Sequence, residues 1–223
     1  MMTLTTQALT VHGTLTLDEI RNSPTVAIVG SRHCSDESRY TARAIAHALA
    51  QRGVIVISGG AMGIDAAAHW GALSTTPIHA AVTADVQTIT TSPVPERDKR
   101  RTAAVLPCGV NVTYPPTHAD LFARIRQHGA LLSAHADDEQ PRRRYFLERN
   151  RVIAALSRAV LIVEAGEQSG SLNTARHAVE LGRPLIAMSG SRGADWLITS
   201  GRAWPFVDVT ELLSLAGVAW EAR

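Results

Sequence analysis

Apolar residues fall into two alternating rhythms along the chain. The short runs "TVAIVG" (Thr25–Gly30), "VIVISGG" (Val54–Gly60), "TAAVLPCG" (Thr102–Gly109), "GALLSAHA" (Gly129–Ala136), "AVLIVEA" (Ala159–Ala165) and "PLIAM" (Pro184–Met188) predict strands. The Ala159–Ala165 run is apolar throughout, as a strand covered on both faces should be. Between the runs the spacing turns helical. Ala42, Ile45, Ala46 and Leu49 stand at i, i+3, i+4 and i+7 within 37–52, with Ser35 or Asp36 as the cap and Gly53 as the stop. Further helices are predicted over Gly63–Leu73, 115–129, Arg144–Arg158 and Ser171–Leu181. In the second of these, Thr117 is the expected N-cap, Asp120 the N3 residue and Gly129 the stop. In the third, Phe146, Val152, Ile153 and Leu156 form the expected buried side. "ADWLITSG" and "VTELLSLAG" read as short closing helices.

Strands alternating with helices in this order predict an α/β, Rossmann-like fold: an open, mostly parallel sheet with helices on both faces. Residues 1–24 form an N-terminal extension, and 25–223 a single domain. An insertion at about 75–101 interrupts the rhythm. Its first part suits a hairpin or edge strand; its end, with Pro93, Pro95 and "ERDKRR", suits an exposed loop. There is no internal repeat.

Composition narrows the function classes. The chain has 223 residues, 45% hydrophobic and 19% charged, an ordinary globular balance. A net charge of +2 says little about partners, but all the basic residues except Lys99 are arginine. Arginine's planar five-donor fork suits phosphate contact, although genomic base composition also enriches it. Cys34 and Cys108 form no C-x-x-C pair, so neither a disulfide framework nor a zinc site is expected. The nine histidines show no H-x-x-x-H spacing, and no metal or cofactor is expected. No secretory signal pattern is visible, and no apolar run reaches the ~20 residues of a membrane helix, so a soluble cytoplasmic protein is expected. The phosphate-binding patterns G-x-G-x-x-G and G-x-x-x-x-G-K-[ST] are missing, as is G-x-S-x-G.

In a parallel sheet every strand-to-helix loop emerges on one edge, where ligands bind near a switch in strand order. Four loops should gather there: Gly30-Ser31-Arg32-His33, Gly59-Gly60-Ala61-Met62-Gly63, Cys108-Gly109 and Gly166–Thr174. A single glycine at such a turn is ordinary steric chemistry. Polar enrichment in three of the four loops points to anion binding, because small residues at a helix N-terminus expose backbone N–H groups. Arg142, Arg143 and Arg144, followed by Arg149, Arg151 and Arg158, suit either a solvated face or a groove tracking a nucleic-acid backbone. Asp65 and His69 lie one helical turn apart and could position a ligand or serve the structure. Glu164 ends a strand at the loop edge, where a carboxylate could act as a base or a ribose ligand. Aromatics are scarce, so extensive base stacking is not expected; Tyr114, Tyr145, Phe146 and the tryptophans are the candidates, most of them core.

The segments "VAIVGSR", "ISGGAMGIDAAAHWGAL", "AVLPCGVNVTYPP", "GALLS" and "RNRVIAALSRAVLIVEAGEQSGSLNTARHAVELGRPLIAMSG" together resemble the DNA-processing protein DprA (Smf) family. The resemblance covers roughly Val26 to Gly190 and implies a Rossmann-like single-stranded DNA-binding protein. Such a protein protects the strand, loads a RecA-type recombinase during natural transformation (competence) and works as a homodimer. It implies a DNA/phosphate site made by Gly30, Ser31, Arg32, Gly59, Gly60, Gly63, Asn150, Arg151, Ser169, Gly170, Ser171 and Thr174. Arg144, Arg149, Asp65, His69 and Glu164 would support it, and no residue is assigned a catalytic role.

The chain departs from the family pattern in places. Neither an N-terminal helical domain nor a C-terminal winged helix is expected within these 223 residues, the 75–101 insertion is atypical, and "YFLERNR" replaces "FP-x-RNR". A competing resemblance is to the LOG-like phosphoribohydrolases, which cleave a nucleotide's N-glycosidic bond with a P-G-G-x-G-T-x-x-E turn. Here Thr174 fits that turn, but His177 takes the glutamate slot and Glu180 follows three residues later, leaving Glu164 as the candidate carboxylate. A nucleotide-sensing module without chemistry is the third alternative.

Overall fold

In the computed structural model, which describes residues 9–75 and 101–218, eight strands form one sheet in the order β1-β5-β4-β3-β2-β6-β7-β8. The strands are β1 (Thr10–Gly13), β2 (Thr25–Val29), β3 (Ile55–Ser58), β4 (Thr102–Val105), β5 (Ala130–Ser133), β6 (Ala159–Ile162), β7 (Leu185–Ala187) and β8 (Trp204–Pro205). The helices are α1 (Leu17–Asn22), α2 (Asp36–Ala50), α3 (Ile64–Leu73), α4 (Ala119–His128), α5 (Arg143–Leu156), α6 (Ser171–Glu180), α7 (Arg192–Thr199) and α8 (Val209–Leu215). Every strand pair is parallel except β1 with β5, which pairs Thr10 with Ser133 and Gly13 with Ala130.

Strand alternation sorts the core into two layers. Val26 and Ile28 of β2 and Leu161 of β6 pack against Ile45 and Leu49 of α2, Ala68 of α3 and Leu212 of α8. Their neighbours Ala27, Val29 and Ile162 face the opposite layer, with Ile20 of α1, Ile153 of α5, Ala175 of α6 and Leu197 of α7. Leu121, Phe122 and Ile125 of α4 close the far end over Ala104 and Leu131. The central strands are buried on both faces, which is why their sequences lack polar alternation.

Outside the 75–101 insertion the predicted strands and helices form, with shifted ends. Ser35 caps α2 by accepting from the Ser38 N–H. Thr117 does not cap α4. It lies inside a 3₁₀ turn, Pro116–His118, and His118 is the N-cap without a side-chain bond, so Asp120 is the second helical residue. Gly129 does end α4. The buried stripe of α5 is Tyr145, Arg149, Asn150, Ile153 and Ala154, while Phe146, Val152 and Leu156 are only half-buried. Residues 10–22, for which the apolar pattern predicts no element, supply β1 and α1, and β8 is a further strand that the pattern does not predict. The hairpin expected in the first part of the 75–101 insertion lies outside the described residues. Among the described residues no helix is long and apolar enough to cross a membrane.

The strand order reverses between β2 and β6. From β2 the chain winds through β3, β4 and β5 to one side, then returns to lay β6 on the other. The loops that follow β2 and β6 therefore diverge to opposite layers and leave a crevice at the C-terminal ends of the strands.

Candidate nucleic-acid interface

A cavity of about 480 Å³ fills that crevice. The β2–α2 loop (Gly30, Ser31, Arg32, His33), the α3 entrance (Ala61, Asp65), one face of α5 (Phe146, Arg149, Asn150) and the turn into α6 (Ser169, Gly170, Ser171, Thr174) line it. A smaller recess of about 40 Å³ adjoins it, and Arg32, Ala61, Phe146 and Arg149 belong to both walls. Gly59 and Gly60 line the recess.

The loops are held by their own backbones. The Ser31 N–H donates to the Glu164 carbonyl at 2.8 Å, tying the β2 loop to the end of β6. The Ile64 N–H donates to the Ser31 carbonyl at 3.2 Å. Gly63 sits between them at φ +75°, where a Cβ would lie 2.3 Å from the Ser31 carbonyl oxygen. Only glycine meets both conditions.

Arg149 forms the floor. Its side chain is 8% exposed. Nη1 donates to the Val105 carbonyl at 3.1 Å, and Nη2 lies 3.6 Å from Oδ2 of Asp65, itself buried. Nε has no hydrogen-bond partner among the described residues. Burial pulls the guanidinium pKa down; the Asp65 charge opposes this, and the nearby Arg32 charge adds to it. Burial pushes the Asp65 carboxyl up, against the Arg149 charge and the hydrogen bond from the Ala61 N–H. The floor is thus a buried guanidinium whose charge is shared with the Asp65 carboxylate beside it.

On the opposite wall α6 begins at Ser171, with Gly170 at the N-cap and no side-chain cap. The Ser169 and Ser171 hydroxyls lie 2.8 Å apart. Asn150 Nδ2 donates to the Gly170 carbonyl at 3.2 Å and holds this turn against α5. A helix N-terminus, two hydroxyls and two guanidinium groups therefore face one space, and all favour negative charge.

Several candidates lie elsewhere. Arg151 is exposed and lines neither cavity; its charge bears on Glu180, at the far end of α6. Arg144 is exposed, over the Tyr145 ring at 5.2 Å and 3.9 Å from Glu148. His69 is fully buried and its Nδ1 lies 2.8 Å from Thr102 Oγ1. Thr102 gives its hydroxyl proton to the Val56 carbonyl, so His69 Nδ1 is the donor and the ring is a structural group. Glu164 turns its carboxylate to α2, where Oε2 accepts from the Ser35 N–H and hydroxyl. Partial burial raises that carboxyl, but the hydrogen bonds from Ser35 and Ser38 outweigh it and hold it below the usual range. Of the Cys108-Gly109 turn, Cys108 is buried, its thiol pushed up by burial to about 11, and only the neighbouring Pro107 reaches the recess. Among the described residues no group of three or more His, Cys, Asp or Glu side chains is placed to hold a metal.

Sequence reasoning did not place Phe146 in the wall. Its position, three residues before Arg149 and four before Asn150, puts it on the same helical face.

Comparison with known proteins follows the same lines. The family model for DNA recombination-mediator protein A matches residues 3–217. The putative DNA processing protein DprA of Mycobacterium tuberculosis is 39% identical over 178 residues, 80% of this chain and 40% of that protein. Protein Smf of Escherichia coli is 38% identical over 183 residues, 79% of this chain and 43% of its own length. DprA of Streptococcus pneumoniae is 34% identical, and its solved structure superposes with a TM-score of 0.74 over 96% of this chain and 67% of that one. A Helicobacter pylori DNA processing protein A, solved in a study of its single-stranded DNA binding mode, gives a TM-score of 0.76 at 27% identity over 95% of this chain and 88% of that one. This chain thus spans about half or less of the length of these curated relatives. Molybdenum cofactor carrier proteins share the fold alone, at 14% identity and a TM-score of 0.53. The strand order, the crevice loops and the match over nearly the whole chain agree: the chain belongs to the DNA recombination-mediator protein A family.

Proposed function

We propose that this domain binds single-stranded DNA by drawing the sugar–phosphate chain into the cleft at the β2/β6 switch point. The carrying observation is that Arg32, Arg149 and the Ser169–Ser171 turn, distant in sequence, line one cavity. The chemistry there is directed at phosphate. Arg32 and Arg149 supply guanidinium donors, and the α6 N-terminus supplies its dipole and hydroxyls. Asn150 holds the turn through the Gly170 carbonyl, Thr174 lines the cavity beside it, and Gly59 and Gly63 leave room for Arg149 and for the Ser31–Arg32 backbone to pack at the α3 entrance. Within the cell the domain protects the strand and delivers it to a RecA-type recombinase during recombination or transformation.

The same reading includes a homodimer. An apolar groove of about 740 Å³ between α6 and α7, lined by Leu172, Ala175, Val179, Trp196 and Leu197, carries both acidic and basic residues at its rim. Trp196 is 51% exposed. Exposed apolar surface with mixed charge supports self-association about a two-fold axis. Nucleotide hydrolysis lacks such support, because Glu164 is engaged by Ser35 and His177 by Glu180.

The test is a fluorescence anisotropy titration with an oligonucleotide of about 20 residues, its duplex and a mononucleotide, at roughly 50 and 200 mM salt. The single strand should bind far more tightly than the other two, and its affinity should fall steeply with salt. Equal affinity for duplex and single strand, or a mononucleotide that binds as well as the oligomer, rules the proposal out. Release of free base from a nucleoside monophosphate would instead establish hydrolysis.

A further inference from the structure

Arg32 reaches the cleft from a loop, with a long side chain that would lose considerable rotamer freedom if fixed by an anion alone. The group beside it is an aromatic ring. The Arg32 guanidinium lies over the Phe146 ring, 5.0 Å from its centroid, and pairs with no carboxylate among the described residues. Tyr114, from the segment after β4, meets the same ring edge-on at 5.7 Å and 73°. Phe146 stands one helical turn before Arg149, on the face of α5 that lines the cavity.

We infer that Phe146, buttressed by Tyr114, is a positioning residue for Arg32: it holds the guanidinium at the cavity wall and leaves its N–H donors free for phosphate. The inference rests on the strand-binding reading of the cleft. The chemical reason is the kind of mount. A carboxylate partner would neutralise the charge and occupy two donors of the fork. A ring face attracts the cation through its quadrupole and consumes none of the in-plane N–H groups. Phe146 therefore fixes the arginine without competing for the ligand. Tyr114 keeps the ring from turning away by an edge-to-face contact from a different loop.

The proposal separates from direct base stacking by a double-mutant cycle on the full chain, read by anisotropy with an oligothymidine of about 20 residues. Phe146→Leu in the otherwise unaltered chain should weaken binding about 3- to 10-fold. It should also lower the slope of log affinity against log salt, because a disengaged Arg32 no longer displaces its counterion. Phe146→Tyr, which keeps the ring, should stay within about twofold of the unaltered chain. In an Arg32→Ala background, Phe146→Leu should cost almost nothing more. Tyr114→Leu, at a side chain partly open to solvent, should give a smaller loss that again depends on Arg32; thermal unfolding of each variant confirms that it is folded. An equal loss from Phe146→Leu with and without Arg32, or no loss at all, overturns the inference and leaves the strand-binding reading standing. Failure of the unaltered chain to bind any single strand overturns both.

Discussion

Gly59→Ala probes how the floor of the cleft is built. A Cβ added to Gly59 would lie 1.3 Å from Arg149 Nη1 and 2.0 Å from its Cζ, so the guanidinium must leave its seat. Leaving breaks the hydrogen bond to the Val105 carbonyl and separates the side chain from Asp65. A buried hydrogen bond from a charged donor contributes about 1.5–3 kcal/mol, and breaking a buried ion pair by removing one partner costs about 3–5 kcal/mol. The two figures overlap, since one guanidinium makes both contacts. Protonation of Asp65, whose carboxyl burial already pushes up, recovers part of the second. The expected loss is about 3 kcal/mol, a drop of about 6–12 °C in Tm for a chain of this size. Urea unfolding at neutral pH measures it directly. Gly166→Ala is the control: nothing lies within 4 Å of a Cβ there, so a change within about 0.5 kcal/mol is expected. A Gly59→Ala protein as stable as the Gly166→Ala protein would show that Arg149 does not occupy the place assigned to it.

Other perturbations test separate parts of the structure. His69 is pulled down to about 3 by burial, with the His118 and Arg149 charges acting the same way. Its contribution is complete above pH ~6.5 and is lost as pH falls toward 3, because the unfolded chain takes up the proton first; the decline is about 1.4 kcal/mol per pH unit. His69→Leu should flatten that part of the acid stability curve in urea titrations, and an unchanged curve would refute the assignment. Ser35→Ala removes the α2 cap and one of the two bonds to Glu164, and should cost about 1 kcal/mol in urea unfolding; no change would show the cap to be idle. Arg32→Ala should weaken oligonucleotides of every sequence alike, because phosphate contacts carry no base code. A loss confined to one sequence would show that Arg32 reads a base.

The fold was legible wherever burial on both faces left an uninterrupted apolar run, as in β2, β3 and β6. It was less legible where a partner decides the structure. β1 has a single large aliphatic residue, Val11, and exists through its pairing with β5. α1 did carry a readable signal, the capping box of Thr16 and Glu19 ahead of buried Ile20. At the site, the glycine and serine loops marked the ligand edge because strand ends of a parallel sheet share one side. The direction of each arginine was not legible. Arg149, ranked among the supporting residues, is the floor of the cleft, whereas Arg151, two residues on, points away from it. A step of two along a helix turns a side chain by about 200°, and only packing against β4 and α3 decides which arginine faces inward.

The most direct measurement is an amide chemical-shift titration of the isotope-labelled chain with a short oligothymidine. The account predicts the largest shifts at Gly30–His33 and Gly166–Thr174, on opposite walls of the cleft and separated by more than a hundred residues of sequence. Shifts confined to the α6–α7 groove or to the exposed arginines at the start of α5, with the two cleft loops silent, would contradict it.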